Sequence, residues 1–371
     1  MAVEVQELST SDSAALKRFV VLERTLVGAN ALFVSEIDAD VLKCLSGRSK
    51  YYSEMEYTLF IALNNGQHVA RCTALINHRF QQAKREALGF VGHFAAASDS
   101  SHAVRRMLEQ AEVWLSERGV TRVVGPFNGA GNLGAGVLTA AFDEEPMFPF
   151  RWNPPYYASY FTDAGYAPTY PLWFYTVDFA SDRYRDAERR VANRNSVRVR
   201  PINKGRWNQD LETVRVLFNE SFEEEWEFAP LTSEEFHESF DEMKPMLDPH
   251  QMLIGEVSGQ PAGFCLGFPD WTPLFRSFKG KLGIAQIIKF MLGAKRYKRA
   301  GLIAIGVRPS IKGTGLAHAL AVTLYRRYQR YGLKEAFYYP VNEGNTRSRR
   351  FAEALGGTGR VLYQCFDKQV G

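Results

Sequence analysis

Leu302-Ile303-Ala304-Ile305-Gly306-Val307-Arg308-Pro309-Ser310-Ile311-Lys312-Gly313-Thr314-Gly315-Leu316-Ala317 is the stretch on which the reading of this chain turns. Its first six residues are an apolar run of strand character. Leu316, Leu320 and Leu324 then recur at the spacing of an amphipathic helix that runs to Tyr331. A strand that passes through a glycine turn into a helix leaves unpaired backbone N–H groups at the helix start. They aim where a phosphate can sit, and the helix dipole reinforces them. Gly313 and Gly315 allow close approach, because a Cβ at either position would stand in the way. The charge pattern agrees: acidic and basic residues nearly balance over the chain, 41 against 45, yet no Asp or Glu occurs between Trp271 and Lys334. The segment is built to hold an anion.

Three nucleotide-binding turns share this outline. A Walker loop requires Gly-Lys-Ser/Thr after a longer spacer, whereas Lys312 precedes its glycine. A dinucleotide fingerprint requires Gly-x-Gly-x-x-Gly near the first strand of a fold, but His318 stands at the third glycine position and the motif comes late. The third is the pyrophosphate loop of the GNAT acyltransferases, Gln/Arg-x-x-Gly-x-Gly/Ala, which Lys312-Gly313-Thr314-Gly315-Leu316-Ala317 resembles with Lys in the first place. A lysine keeps the positive charge and gives up the planar fork. The resemblance continues through an aromatic-rich strand, Leu333 to Val341, and into Asn342-Glu343-Gly344-Asn345-Thr346-Arg347-Ser348. That segment is similar to the family's Val-x-x-x-Asn-x-x-(Ala/Ser) pattern, and a last strand runs from Gly359 to Asp367. The resemblance implies acyl-coenzyme A bound along Val307 and residues 312–317, with Asn345 capping the helix beside the pantetheine arm.

A chain of 371 residues is too long for one such unit and fits two, since domains run to roughly 100–200 residues. The charged stretch Asp182 to Asn195 divides the sequence into 1–181 and 196–371. Both sides show the same order of elements. The first has a hairpin about Asn64-Asn65-Gly66, a strand from Ala87 to Ala95, and a helix from Ser101 to Arg118 opened by Asp99. A strand from Val120 to Val124, a helix between Pro154 and Gly165, and a strand from Pro171 to Phe179 follow. The second has a strand from Ser196 to Ile202, helices over Asp210–Glu225 and Ser233–Met246, and a hairpin about Ser258-Gly259 before the cofactor loop. The expected fold is therefore α/β with a mixed sheet (α+β), a tandem GNAT fold of two similar domains, monomeric with an internal pseudo-dimer. Where the second copy has its loop, the first has Ala96-Ala97-Ser98-Asp99-Ser100-Ser101, with no paired glycines and an acid in the phosphate position. Domain 1–181 is expected to carry a degenerate cofactor site.

Gly125-Pro126-Phe127-Asn128, Asn153-Pro154-Pro155-Tyr156-Tyr157, Asn219-Glu220-Ser221-Phe222 and Gly263-Phe264-Cys265-Leu266-Gly267-Phe268-Pro269-Asp270 carry the resemblance over nearly the whole chain. They are similar to a bacterial group of two-domain GNAT proteins that includes ceramide synthases. That resemblance implies transfer of an acyl group from acyl-coenzyme A to a primary amine, with an amphiphilic amine such as a sphingoid base as acceptor. The alternatives are a small-molecule or amino-acid N-acetyltransferase using acetyl-coenzyme A, and a non-catalytic acyl-coenzyme A-binding protein. In this chemistry the neutral amine attacks the thioester, so a base takes a proton and an acid protonates the leaving thiolate. Asp270 and Glu343 are the candidate bases; their structural readings are a cap for the insertion and support for a helix start. The family's usual acid, a Tyr seven residues after the helix Asn, is Ala352 here. Tyr338, Tyr339 and Tyr363 are the replacements nearby, each also readable as core, and Tyr363 completes the candidate set.

Residues 271–299 exceed what a minimal fold of this kind needs. They mix Phe275, Phe278, Ile287, Ile288 and Met291 with Lys281, Lys289, Lys295, Arg296, Lys298 and Arg299. Such a basic amphipathic segment suits either an anionic membrane surface or a lid over the acceptor. No nucleic-acid module is legible, and Cys44, Cys72, Cys265 and Cys365 have no metal-ligand spacing. No metal is expected. With no spanning apolar run and no leader pattern, the expected place is the cytoplasm, including the inner face of the membrane.

Overall fold

The computed structural model describes residues 2–147, 149–192, 197–241, 243–244, 247–311 and 313–371. β1 (Val3–Leu8), α1 (Ser13–Val27) and α2 (Asp38–Leu45) come first. Asp12 starts α1 by accepting from the Ala14 and Ala15 amides, as an aspartate N-cap does. β2 (Met55–Asn64) and β3 (Gln67–Asn77) turn at Asn65 and Gly66, whose φ values of 51° and 80° supply the backbone that a two-residue hairpin needs. α3 (His78–Lys84), β4 (Leu88–Ala96), α4 (Ser101–Ser116), β5 (Arg122–Gly125), β6 (Val137–Leu138) and α5 (Tyr156–Asp163) follow. The chain continues with β7 (Ala167–Asp178), α6 (Asp182–Ala192), β8 (Val197–Pro201), α7 (Trp207–Phe222), α8 (Ser233–Phe240), β9 (Met252–Val257) and β10 (Gln260–Pro269). Next are α9 (Thr272–Phe278), α10 (Ile284–Gly293), β11 (Ala300–Val307), α11 (Leu316–Arg330), β12 (Glu335–Asn342), α12 (Thr346–Ala354) and β13 (Gly357–Gln369).

Two compact units result, one of Met1–Pro171, Trp271–Phe290 and Val361–Gly371, the other of Leu172–Asp270 and Met291–Arg360. Both repeat one topology. In the first unit β1 to β4 form an antiparallel meander, β5 joins β4 in parallel, and β13 closes antiparallel on β5. In the second, β8 to β11 form the meander, β12 joins β11 in parallel, and β7 closes antiparallel on β12. A helix crosses each parallel step, α4 or α11, because a parallel pair cannot be joined by a tight turn. The mixed α/β, tandem architecture is the expected one.

The units cut across the division at 1–181 and 196–371. Residues 172–181 lie in the second unit and residues 361–371 in the first, so each sheet is closed by a strand from the other half of the sequence. Register explains this: Leu172 to Asp178 pair with Asn342 to Glu335, and Phe366 to Gln369 pair with Gly125 to Arg122. The described part of the charged stretch expected as the domain boundary is the helix α6, and Tyr184 and Ala187 on it join Phe179 and Tyr325 in the second unit's core. Residues 193–196 and the expected helix end at Met246 lie outside the described residues; α8 itself ends at Phe240. Trp271–Phe290, expected as part of the C-terminal domain, belongs to the first unit. There Arg276 pairs with Glu145, and the Asp38 amide donates to the Gly280 carbonyl at 2.8 Å.

In the second unit the apolar face of α11 lies directly on the sheet. A Cβ at Gly255 would collide with Leu316, and one at Gly267 with Leu324 and the Tyr328 hydroxyl, so glycine permits the close packing. That hydroxyl donates to the Gly301 carbonyl at 2.9 Å, which satisfies a buried polar group at the base of β11.

A fragment of residues 196–371 lacks β7 and α6, and with them Tyr175, Val177, Phe179, Tyr184 and Ala187 of the core. It is expected to show no cooperative thermal transition by circular dichroism. A cooperative melt resembling that of the full chain would contradict the strand exchange.

Candidate active site

β11 and β12 pair only at Gly301–Phe337 and Leu302–Tyr338. Beyond that point β11 follows β10 as far as Val307 and β12 follows β7 as far as Asn342, so the two strands part. The Arg308 amide donates toward β10, to the Ala262 carbonyl at 2.9 Å; strand alternation therefore turns the Val307 N–H toward the gap. At the mouth of the gap are Gly313 and Gly315, with φ values of 88° and 82°. Gly315 is the N-cap of α11, which has no side-chain cap and no acid in its first turn. A Cβ at Gly313 would meet nothing within 4 Å, so the space beside it is open. Thr314 stiffens the turn by donating from its hydroxyl to the Ile311 carbonyl at 2.9 Å. Leu316 is buried, Ala317 is half-buried, and Lys312 lies outside the described residues. The Leu316 amide donates to the Thr314 hydroxyl at a long 3.4 Å, and a helix start of this kind, with its backbone amides and dipole, suits an anion.

α12 faces the same divergence. Asn345 caps it by accepting from the Ser348 amide at 2.9 Å, and the Ser348 hydroxyl meets the Tyr338 hydroxyl at 2.6 Å. Tyr338 is thus a phenol at the last paired position before the fork, and burial pushes its ionisation up, which keeps it protonated. Phe218, half-buried on α7, makes ring contacts with Phe222 at 4.7 Å, Phe228 at 5.5 Å and Phe264 at 5.6 Å. A Cβ at Gly306 would collide with Ser221 and the Phe264 ring, so this cluster lies against β11 one residue before Val307. The Ser221 hydroxyl is buried there with no hydrogen-bond partner among the described residues. In sequence Phe228 reads as either an acceptor gate or a core anchor, and Phe222 stands in a family motif, but Phe218 was missed although it lies four residues before Phe222 on one helix face.

The first unit closes the same positions from within. Its fork begins after Phe90–Val124, but the Phe127 amide donates to the Val91 carbonyl at 2.8 Å and the His93 amide to Asn128 Oδ1 at 2.8 Å. The loop amides of Ala96 and Ser100 donate to the hydroxyls of Tyr157 and Tyr160, both at 3.0 Å. Asp99, expected to open α4, instead has a φ of 56°, and Ser100 stands at the N-cap without a cap bond.

The three candidate acid–base residues are not joined in one hydrogen-bonded set. Asp270 is buried: it accepts from Arg299 Nε at 2.7 Å and its amide donates to the Arg299 carbonyl at 2.8 Å, which ties together the ends of the 271–299 segment. Glu343 is exposed, two residues before the Asn345 cap. Tyr363 belongs to the first unit, where its hydroxyl donates to the Arg151 carbonyl at 3.0 Å and burial pushes its ionisation up. Cys72 and Cys265 are buried thiols held protonated in the same way. His318 rests edge-on against Phe351 at 4.9 Å. Among the described residues no group of three or more His, Cys, Asp or Glu is placed to hold a metal.

Residues 211–356 match the acetyltransferase (GNAT) family, and this span contains the fork, the glycine turn and the Asn345 cap. The tandem GNAT protein from the clavulanic acid biosynthesis pathway superposes with a TM-score of 0.59 at 12% identity, covering 100% of this chain and 99% of that one. Residues 211–356 are thus a GNAT domain, and the chain as a whole has the tandem GNAT fold. A GCN5-related N-acetyltransferase from Sphaerobacter thermophilus shares the fold at a TM-score of 0.51 and 14% identity, over 99% of this chain and 95% of its own. In sequence, the chain is 27% identical to the bacterial ceramide synthase of Caulobacter vibrioides over 96% of its length and 95% of that protein's. It is 23% identical to protein YghO of Escherichia coli over 96% and 93% of the two lengths.

Two substitutions check this geometry. Asn345→Ala removes the cap of α12 and is expected to lower stability by about 1 kcal/mol in denaturant unfolding. Asp270→Asn weakens the Arg299 clamp and is expected to cost roughly 2 kcal/mol and to expose 271–299 to limited proteolysis. Wild-type stability and proteolysis in that variant would contradict the clamp.

Proposed function

We propose that this chain is a coenzyme A-dependent N-acyltransferase with one working site, in the second unit, and that its acceptor is a lipid-like primary amine such as a sphingoid base. The observation that carries the reading is the open fork between β11 and β12 leading to an uncapped α11, set against a first-unit loop whose amides are bonded to Tyr157 and Tyr160. Val307, Gly313 to Ala317 and, by its place in the sequence, Lys312 hold the pyrophosphate and pantetheine parts of acyl-coenzyme A; Asn345 orders the helix beside them. Similarity to a ceramide synthase over nearly the whole chain supports the choice of acceptor, and the half-buried phenylalanines of α7 offer an apolar wall for a long acyl or alkyl chain.

In the reaction the amine nitrogen forms a bond to the thioester carbonyl carbon, the carbon–sulfur bond breaks, one amine proton leaves to a base, and the thiolate takes up a proton. Glu343, being exposed beside the Asn345 cap, is the proposed base. Asp270 and Tyr363 have structural partners and are second choices. Tyr338 is the proposed proton donor to the thiolate, in the place of the family tyrosine that is Ala352 here. Substrates of this class partition into lipid, so the reading accords with attachment to the inner face of a membrane without depending on it.

Gly315→Glu puts a carboxylate and a Cβ where phosphate would lie, and is expected to abolish coenzyme A binding in a folded protein. Unchanged affinity would remove the assigned loop. Affinity for coenzyme A thioesters from acetyl to palmitoyl is expected to rise with chain length, by up to about 0.8 kcal/mol per buried methylene. A flat profile would move the assignment to acetyl transfer onto a small amine. Binding without turnover on any amine would indicate a non-catalytic acyl-coenzyme A-binding protein.

A further inference from the structure

α10 is amphipathic the wrong way round for a helix packed in a protein. Its one aromatic, Phe290, points inward, 4.8 Å from the Trp271 ring and 5.9 Å from Phe275. Ile284, Ile287, Ile288, Met291 and Leu292 are between 45% and 80% exposed. With successive residues about 100° apart, these five occupy one uninterrupted arc of about 140° on the outer face. An exposed apolar stripe of this kind marks a surface that something covers.

Charge identifies the occupant. Lys281 and Lys289 are exposed on the same segment, and Lys295, Arg296 and Lys298 are exposed just after it, with no acid anywhere from Trp271 to Lys334. An apolar stripe flanked only by cations matches the edge of an anionic bilayer, where acyl chains take the apolar residues and headgroups take the lysines. A spanning role is excluded for the described helices, none of which is long and apolar enough to cross a membrane. We propose that α10 is a membrane-docking element that lies in the interface of an anionic bilayer, with Ile284, Ile288, Met291 and Leu292 inserted and Lys281 and Lys289 at headgroup level. The proposal deepens the lipid-substrate reading and rests on it for its purpose, while the surface itself stands on exposure and charge.

The test is co-sedimentation of the full chain with vesicles of phosphatidylcholine alone or mixed with phosphatidylglycerol. The wild type is expected to bind the mixed vesicles and, tenfold or more weakly, the neutral ones. Ile284→Asp combined with Ile288→Asp is expected to lower binding to mixed vesicles at least tenfold, with an unchanged melting temperature. Lys281→Glu with Lys289→Glu is expected to lower it several-fold and to flatten its salt dependence. Wild-type binding by the double aspartate variant would overturn the proposal. So would failure of the wild type to bind anionic vesicles, including the case in which the aspartate pair instead abolishes self-association, which would assign the stripe to a second copy. Acyl transfer in detergent micelles separates the two ideas: its absence, with vesicle binding intact, counts against the function and leaves the docking surface standing.

Discussion

The second unit depends on one constraint, the parting of β11 from β12 after a single short parallel contact. Two strands that diverge within a sheet leave N–H and C=O groups without a ladder partner, which is costly unless water or a ligand supplies one. The fork persists because each strand is held on its far side: β11 by β10 and by the α11 helix seated on Gly255 and Gly267, β12 by β7. The same packing sets the start of α11 at the mouth of the gap. An extended chain lying in the gap and an anion at its end would complete the hydrogen bonding that the protein leaves open, and acyl-coenzyme A has that shape and charge.

The first unit shows the same fold with its fork bonded from within. It has the same strand order and the same helix crossover, but its fork is filled by Phe127 and Asn128 and its loop amides are bonded to tyrosines from α5. One fold, repeated, has therefore been closed in one copy and left open in the other. The exchange of β7 and β13 makes each sheet depend on the other half of the chain, which gives the closed copy a structural reason to persist.

Much of this was legible in sequence where local rules act alone. The hairpins at Asn65-Gly66 and Ser258-Gly259, the turn at Gly313 and Gly315, and the Asn345 cap follow from residue types that each backbone conformation demands. Segments whose partners are distant in sequence were not legible. The stretch from Asp182 is highly charged and reads as a domain boundary, but Tyr184 and Ala187 make it a packed helix, and the exchange of closing strands leaves no local mark at all. The first copy's lack of paired glycines was visible in Ala96-Ala97-Ser98-Asp99-Ser100-Ser101; the hydroxyls of Tyr157 and Tyr160 that accept from its loop amides, some sixty residues on, were not. Asp270 reads in sequence as a candidate base and Tyr363 as a candidate acid, and their fold partners, Arg299 and the Arg151 carbonyl, come from contacts that sequence does not encode locally.

The central claim is that a two-fold repeated structure holds one ligand. Isothermal titration of the full chain with coenzyme A tests it directly through the stoichiometry. One molecule bound per chain is the predicted result. Two per chain would show that the first unit also binds despite its tyrosine-closed loop, and none would show that the fork in the second unit serves something other than a nucleotide thioester.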